Sequence, residues 1–207
     1  MSQPRKNRFR ALALLGAVGA SGVVASLFSP ARDHGIIDVV PIAAASSAYA
    51  LLTASIALTK PPRTVTRWFG GADEARRAER WAFLASGASA AVYVVTIWFP
   101  VIQTLRRLDP DGPHVPTVPA AIIAAFGLGF LLLIRLDERL RSRCGRLMTP
   151  LTVTVFLAAT IQFATAAKLL VTLTSPHGAY MITVAGVGVA ALLRLAFTKN
   201  TRQTCRE

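Results

Sequence analysis

Six long apolar stretches dominate this sequence and restrict it to a bundle of membrane-spanning helices. They cover residues 11–28, 36–58, 82–105, 120–134, 151–174 and 179–197. About 20 apolar residues are needed to cross a bilayer as a helix. The fourth stretch is shorter than this, so residues on either side of it must also lie within the bilayer. Backbone groups in lipid must bond within their own segment, so each crossing is expected to be helical. The sequence predicts an all-α polytopic integral membrane protein with six transmembrane helices.

Composition argues against an ordinary soluble domain. Hydrophobic residues make up 53% of the chain and charged residues 16%, whereas soluble domains contain roughly 25% charged residues. The first apolar stretch is longer than the roughly 7–15 residues of a signal-peptide core, so we expect it to be kept as the first span. Residues 11–197 then form one membrane domain between basic tails at 1–10 and 198–207. Pro100 is expected to end or bend the third span.

The positions of the basic residues explain the net charge of +13. All but four of the 23 Lys and Arg residues lie in the tails, at the end of the sixth span, or in the loops after the second and fourth spans. The exceptions are Arg32, Arg106, Arg107 and Lys168. Cytoplasmic loops carry such an excess, so both termini are predicted to be cytoplasmic, in the plasma (inner) membrane. The same residues are expected to attract anionic inner-leaflet lipids, and nucleic acid is not an expected partner.

Polar side chains follow one side of the fifth stretch and one side of the second. In the second stretch, Tyr49 shares a face with Ala45 and Thr53, and Asp38 lies near the start. In the fifth, at about 100° per residue, the polar or small face consists of Thr154, Ala158, Gln162, Thr165, Lys168 and Thr172. Polar groups that face hydrocarbon lack partners, so both faces are expected to turn inward. They predict either a helix–helix contact or the lining of a cavity.

Asp38 and Lys168 are predicted to reach similar depths below the outer surface. At about 1.5 Å per residue, Asp38 lies roughly 5 Å deep and the Lys168 backbone roughly 10 Å deep, and the lysine side chain can extend outward. We therefore hypothesise an ion pair between the second and fifth helices. The pair is either a fixed brace or a gating or proton-coupled pair in a transport path. The alternative is that Lys168 reaches the surface alone.

Each predicted outer loop contains one histidine: His34, His114 and His177. Imidazole binds zinc and copper and titrates near neutral pH, so a metal site or a pH sensor is a weak hypothesis. The spacing matches no metal motif. The favoured interpretation is solvated or helix-capping histidines, with no metal and no cofactor.

Several kinds of chemistry are not indicated. Cys144 and Cys205 are both predicted to be cytoplasmic and lie outside any Cys-x-x-Cys motif, so neither a disulfide nor a redox pair is expected. The chain has no P-loop, nucleophile-elbow or zinc-protease motif. An enzyme acting at the outer leaflet would have few polar groups to use, namely Asp38, Asp109, Asp111 and His114. Enzymatic activity is therefore the less favoured class.

Two other functional classes fit the sequence better. The favoured class is a transporter-like or substrate-binding membrane subunit with a polar path between the second and fifth predicted helices, built from Asp38, Lys168, Gln162, Tyr49 and Thr165. The alternative is a non-catalytic accessory or assembly subunit of a membrane complex. Either class allows a homo-oligomer or a membrane partner subunit. Small residues on two spans favour close helix packing. They are Ala13, Ala17, Ser21 and Ala25 with Gly16, Gly19 and Gly22 on the first span, and Gly186, Gly188 and Ala190 on the sixth. A continuous cavity would favour the first class, and a dry, packed bundle the second.

Overall fold

The computed structural model describes residues 3–29, 36–105, 117–144, 147–166 and 175–203. Within these ranges every regular element is a helix, which confirms the all-helical prediction. The helices are α1 (Gln3–Ser26), α2 (Ile36–Thr59), α3 (Arg63–Phe69), α4 (Ala72–Leu105), α5 (Thr117–Leu136), α6 (Glu138–Cys144), α7 (Met148–Ala166) and α8 (Pro176–Gln203).

Three helices contain segments long and apolar enough to cross a membrane. These segments are Phe9–Ser26 in α1, Val39–Thr59 in α2 and Pro176–Ala196 in α8. Shorter apolar segments occupy Ile122–Leu136 in α5 and Met148–Ala164 in α7. The chain therefore has the character of a membrane protein. Within the described residues, the other predicted crossings do not reach the same length and hydropathy.

The first turns of α4 are polar, and the helix continues without interruption into the predicted third span. Asp73 and Glu74 lie in its first turn, where acidic side chains interact favourably with the positive end of the helix dipole. Pro100 does not end the helix, because α4 continues to Leu105, and the alternative that it bends the helix stays a prediction. A proline inside a helix removes one backbone hydrogen bond but does not require the helix to end there.

Helix α2 lies at the centre of the bundle. It packs against α1, α4 and α8 and also contacts α7. Residues 46–53 are all buried, because this part of α2 has neighbouring helices on every side. Its side chains Tyr49, Leu52 and Ile56 join the main hydrophobic cluster. The fully buried members of this cluster from other helices include Phe83, Leu131 and Phe156.

Gly22 and Gly188 each allow two helices to approach more closely than a side chain at that position would permit. A Cβ atom at Gly22 would lie 2.6 Å from the backbone nitrogen of Ser47, so α1 reaches this distance from α2 only because residue 22 has no side chain. Gly188 on α8 lies against the ring of Phe156 on α7, where a Cβ atom would also collide.

Two arginine side chains contact other helices at one end of the bundle. Arg10 Nη1 donates to the backbone oxygen of Trp68 at 3.5 Å, which joins the start of α1 to α3. Arg135 Nη1 lies 2.7 Å from Glu79 Oε1, and the Arg135 guanidinium lies 4.1 Å from the centre of the Phe83 ring. These contacts bring the end of α5, the first turns of α4 and the start of α1 to the same region.

Candidate functional site

Tyr49 connects α2 to α7 through both its ring and its hydroxyl group. Its ring stacks on Phe156 with 5.4 Å between centroids and is tilted against Phe163 at 5.2 Å. Tyr49 Oη lies 2.7 Å from Thr160 Oγ1. The Thr160 hydroxyl donates its single proton to the Phe156 carbonyl at 2.8 Å, so the Tyr49 hydroxyl is the donor to Thr160. The Tyr49 hydroxyl is therefore hydrogen-bonded although the residue is buried.

A second pair of polar side chains connects α7 to α4. Gln162 Nε2 donates to the hydroxyl oxygen of Tyr93, and Gln162 is 9% exposed. Ser86, also on α4, donates to the backbone oxygen of Ala48 on α2 at 2.7 Å. These contacts, together with Tyr49 and Thr160, form a polar centre that joins α2, α4 and α7. Buried polar groups need such partners, because water is not available to them.

The polar centre borders a small cavity among α2, α4, α5 and α7. The cavity has a volume of about 50 Å³. Its walls are largely alanine side chains, and its polar lining residues are Tyr49, Ser86, Tyr93 and Gln162. A cavity of roughly 150 Å³ is needed to hold a molecule the size of benzene. This cavity is therefore large enough for a water molecule but not for an organic solute.

A second group of hydrogen bonds joins α1, α2 and α8. Tyr180 Oη lies 2.9 Å from Ser21 Oγ, and Ser21 donates its proton to the Val18 carbonyl, so Tyr180 is the donor. Ser47 Oγ donates to the Gly19 carbonyl at 2.9 Å. Among the described residues, the buried side-chain polar atoms without a hydrogen-bond partner are Ser29 Oγ and Thr53 Oγ1.

His177 lies in the first turn of α8, not in a solvated turn before it. It is 6% exposed, and its Nε2 atom lies 3.1 Å from Ser46 Oγ on α2. The interpretation of His177 as a solvated histidine was therefore wrong, because α8 begins three residues earlier than predicted and packs this side chain against α2. His34 and His114 lie outside the described residues. Within the described ranges, no group of three His, Cys, Asp or Glu side chains could hold a metal ion.

The structure describes only part of the predicted polar path. Tyr49 and Gln162 both line the cavity, but they bond to Thr160 and Tyr93 instead of to each other. The side chains of Asp38 and Thr165 lie outside the described residues, as does Lys168. The ion pair between Asp38 and Lys168 therefore stays a prediction.

Sequence reasoning missed several residues that hold the helices together. No role was predicted for Tyr93 or Tyr180. The hydroxyl groups of these two residues and of Tyr49 each form a hydrogen bond with a side chain on another helix. The available signal was the position of these tyrosines away from the basic segments, within apolar sequence. A buried tyrosine hydroxyl generally needs a partner. The pair between Glu79 and Arg135 was also missed, since Arg135 was assigned to a loop.

The chain matches no protein-family model, no curated protein and no solved structure. Its function is therefore inferred from the geometry alone.

Proposed function

We propose that this protein is a non-catalytic accessory or assembly subunit of a membrane complex. The observation that carries the proposal is the polar centre, whose side chains form hydrogen bonds between helices. Tyr49, Tyr93, Ser86 and Gln162 border a cavity of only about 50 Å³, and each of them bonds to another helix. A polar group committed to a neighbouring helix holds the bundle together and is not available to a solute.

We further propose six spans, with both termini in the cytoplasm of the plasma (inner) membrane. The distribution of basic residues supports this orientation. It is also supported by the contacts of Arg10 with Trp68 and of Arg135 with Glu79, because both join segments assigned to the cytoplasmic side. Only four of the 21 residues of Pro176–Ala196 are buried within the chain, so much of the surface of α8 is available to lipid or to another subunit.

A transporter-like function is the second candidate. It is favoured by the location of the polar centre between α2 and α7, the helices whose polar faces predicted a path. For transport, the bond between Gln162 and Tyr93 would have to open and the cavity would have to widen. The predicted pair of Asp38 and Lys168 would then act in gating.

Cysteine labelling at the cavity distinguishes these two functions. Cys144→Ser and Cys205→Ser give a thiol-free chain, to which Ala159→Cys adds one thiol in the cavity wall. Ala159 is 9% exposed, and methanethiosulfonate reagents react with thiolate, which forms where water is present. We expect no labelling of Ala159→Cys in membrane vesicles from either side. Labelling would indicate a water-filled path and favour transport.

Two positions outside the cavity serve as controls and test the orientation. Thr64, an exposed residue of α3, lies on the proposed cytoplasmic side, and Arg32 belongs to the first predicted outer loop. Thr64→Cys is expected to react with an impermeant maleimide only after the membrane is permeabilised. Arg32→Cys is expected to react with the same reagent in intact cells. Reaction of both cysteines from the same side would contradict the proposed topology.

A further inference from the structure

A pocket of about 200 Å³ lies between the end of α2 and the later part of α8. Its apolar wall is formed by Ile56, Ala57, Pro62, Ala190, Ala191 and Leu195. The charged residues that line it among the described residues are Lys60 and Arg194, and both are cations. Two positively charged side chains from different parts of the chain therefore line one pocket.

The pocket lies where the apolar helices give way to polar sequence. Lys60 directly follows the last residue of α2, and Arg194 comes two residues before Ala196, where the apolar segment of α8 ends. Long basic side chains in such positions extend toward the headgroup layer while their stems stay on the apolar surface. Below the two cations, the small side chains of Ala57, Ala190 and Ala191 leave space between the helices.

We propose that this pocket binds an anionic phospholipid, with the headgroup phosphate between Lys60 and Arg194 and the start of an acyl chain along the alanine wall. Charge complementarity supports an anion, because guanidinium and ammonium groups both form strong charge-assisted hydrogen bonds to phosphate. The apolar wall supports a lipid. The carbonyl end of α2 carries partial negative charge, which repels a phosphate group. We therefore expect both cations to be needed for phosphate binding. The inference requires membrane insertion and is the same for either proposed function.

Native mass spectrometry of the full-length chain in detergent tests this site. Phosphatidylglycerol is titrated into wild type, Lys60→Gln, Arg194→Gln and the double variant. Loss of one charge-assisted hydrogen bond is expected to weaken lipid binding about tenfold in each single variant. Arg194→Lys keeps the positive charge and is expected to retain most of the binding.

The matched control is the double variant Arg63→Gln with Arg67→Gln, which removes two exposed cations of α3 outside the pocket. It changes the net charge by the same amount and is expected to bind phosphatidylglycerol like wild type. The proposal is overturned if the control loses as much binding as the pocket double variant, or if phosphatidylcholine binds as well as phosphatidylglycerol. Displacement of the lipid by an equal concentration of inorganic phosphate would also overturn it, since the site would then serve free phosphate. If the pocket double variant fails to fold, the test is the comparison of Arg194→Gln with Arg194→Lys, in which only Arg194→Gln is expected to weaken lipid binding.

Discussion

Replacing Phe156 with alanine is expected to destabilise the bundle by about 3 kcal/mol, the low end of the range for buried phenylalanine. The low end applies because lipid is as apolar as the protein interior, so the loss is mainly one of packing. Phe156 has 0% of its surface exposed, and it contacts Tyr49 on α2 and Gly188 on α8. The measurement is reversible unfolding in mixed detergent micelles, followed by circular dichroism.

Phe126→Ala is the matched control, because Phe126 on α5 is 70% exposed. It is expected to change the free energy of unfolding by less than about 0.5 kcal/mol. A second comparison uses Gly188→Ala. In the wild-type background it is expected to lower the free energy of unfolding, because the added methyl group collides with the Phe156 ring. In the Phe156→Ala background the further loss is expected to be much smaller, because the ring is absent. Equal losses for Phe156→Ala and Phe126→Ala would contradict the central position of this ring.

Gly22→Ala is expected to cost about 2 kcal/mol, within the range for overpacking of a closed interface. The added methyl group would lie 2.6 Å from the backbone nitrogen of Ser47 and 2.8 Å from its Cα atom. Backbone atoms cannot rotate away as a flexible side chain can, so α1 must move from α2. That movement would also lengthen the hydrogen bond from Ser47 to the Gly19 carbonyl. The same unfolding measurement reports the loss.

Gly16→Ala provides the control on the same helix, because a Cβ atom there would meet nothing within 4 Å. Alanine favours helix more than glycine does, by about 1 kcal/mol, so Gly16→Ala is expected to leave the stability unchanged or to raise it slightly. If Gly22→Ala were as stable as Gly16→Ala, the close contact between α1 and α2 would be wrong.

The helical segments were predictable because long uncharged runs allow few other folds in a membrane. The second span was predicted at residues 36–58, and α2 covers Ile36–Thr59. The ends were less predictable. The motif Ser175-Pro176-His177-Gly178 is typical of a turn, but proline is also favoured in the first turn of a helix, and α8 begins at Pro176.

The partners within the polar centre could not be predicted from spacing. Periodicity assigns Gln162 and Tyr49 to a face of their own helices, but it does not tell which neighbouring helix that face meets. Gln162 bonds to Tyr93 on α4, and the sequence of α4 has no polar face that would have predicted this contact. The pairing depends on how α2, α4, α5 and α7 pack, which is decided by side chains such as Phe156 and by contacts at glycines far apart in sequence.

Native mass spectrometry of the protein, taken gently from its own membrane, tests the central proposal most directly. An accessory or assembly subunit is expected to appear with a second polypeptide at fixed stoichiometry, and the apolar faces of α1 and α8 then become the first surfaces to test for contact. A lone chain or a homo-oligomer that retains a small solute would contradict the proposal, and would make Asp38, Lys168 and the polar centre candidates for a transport path.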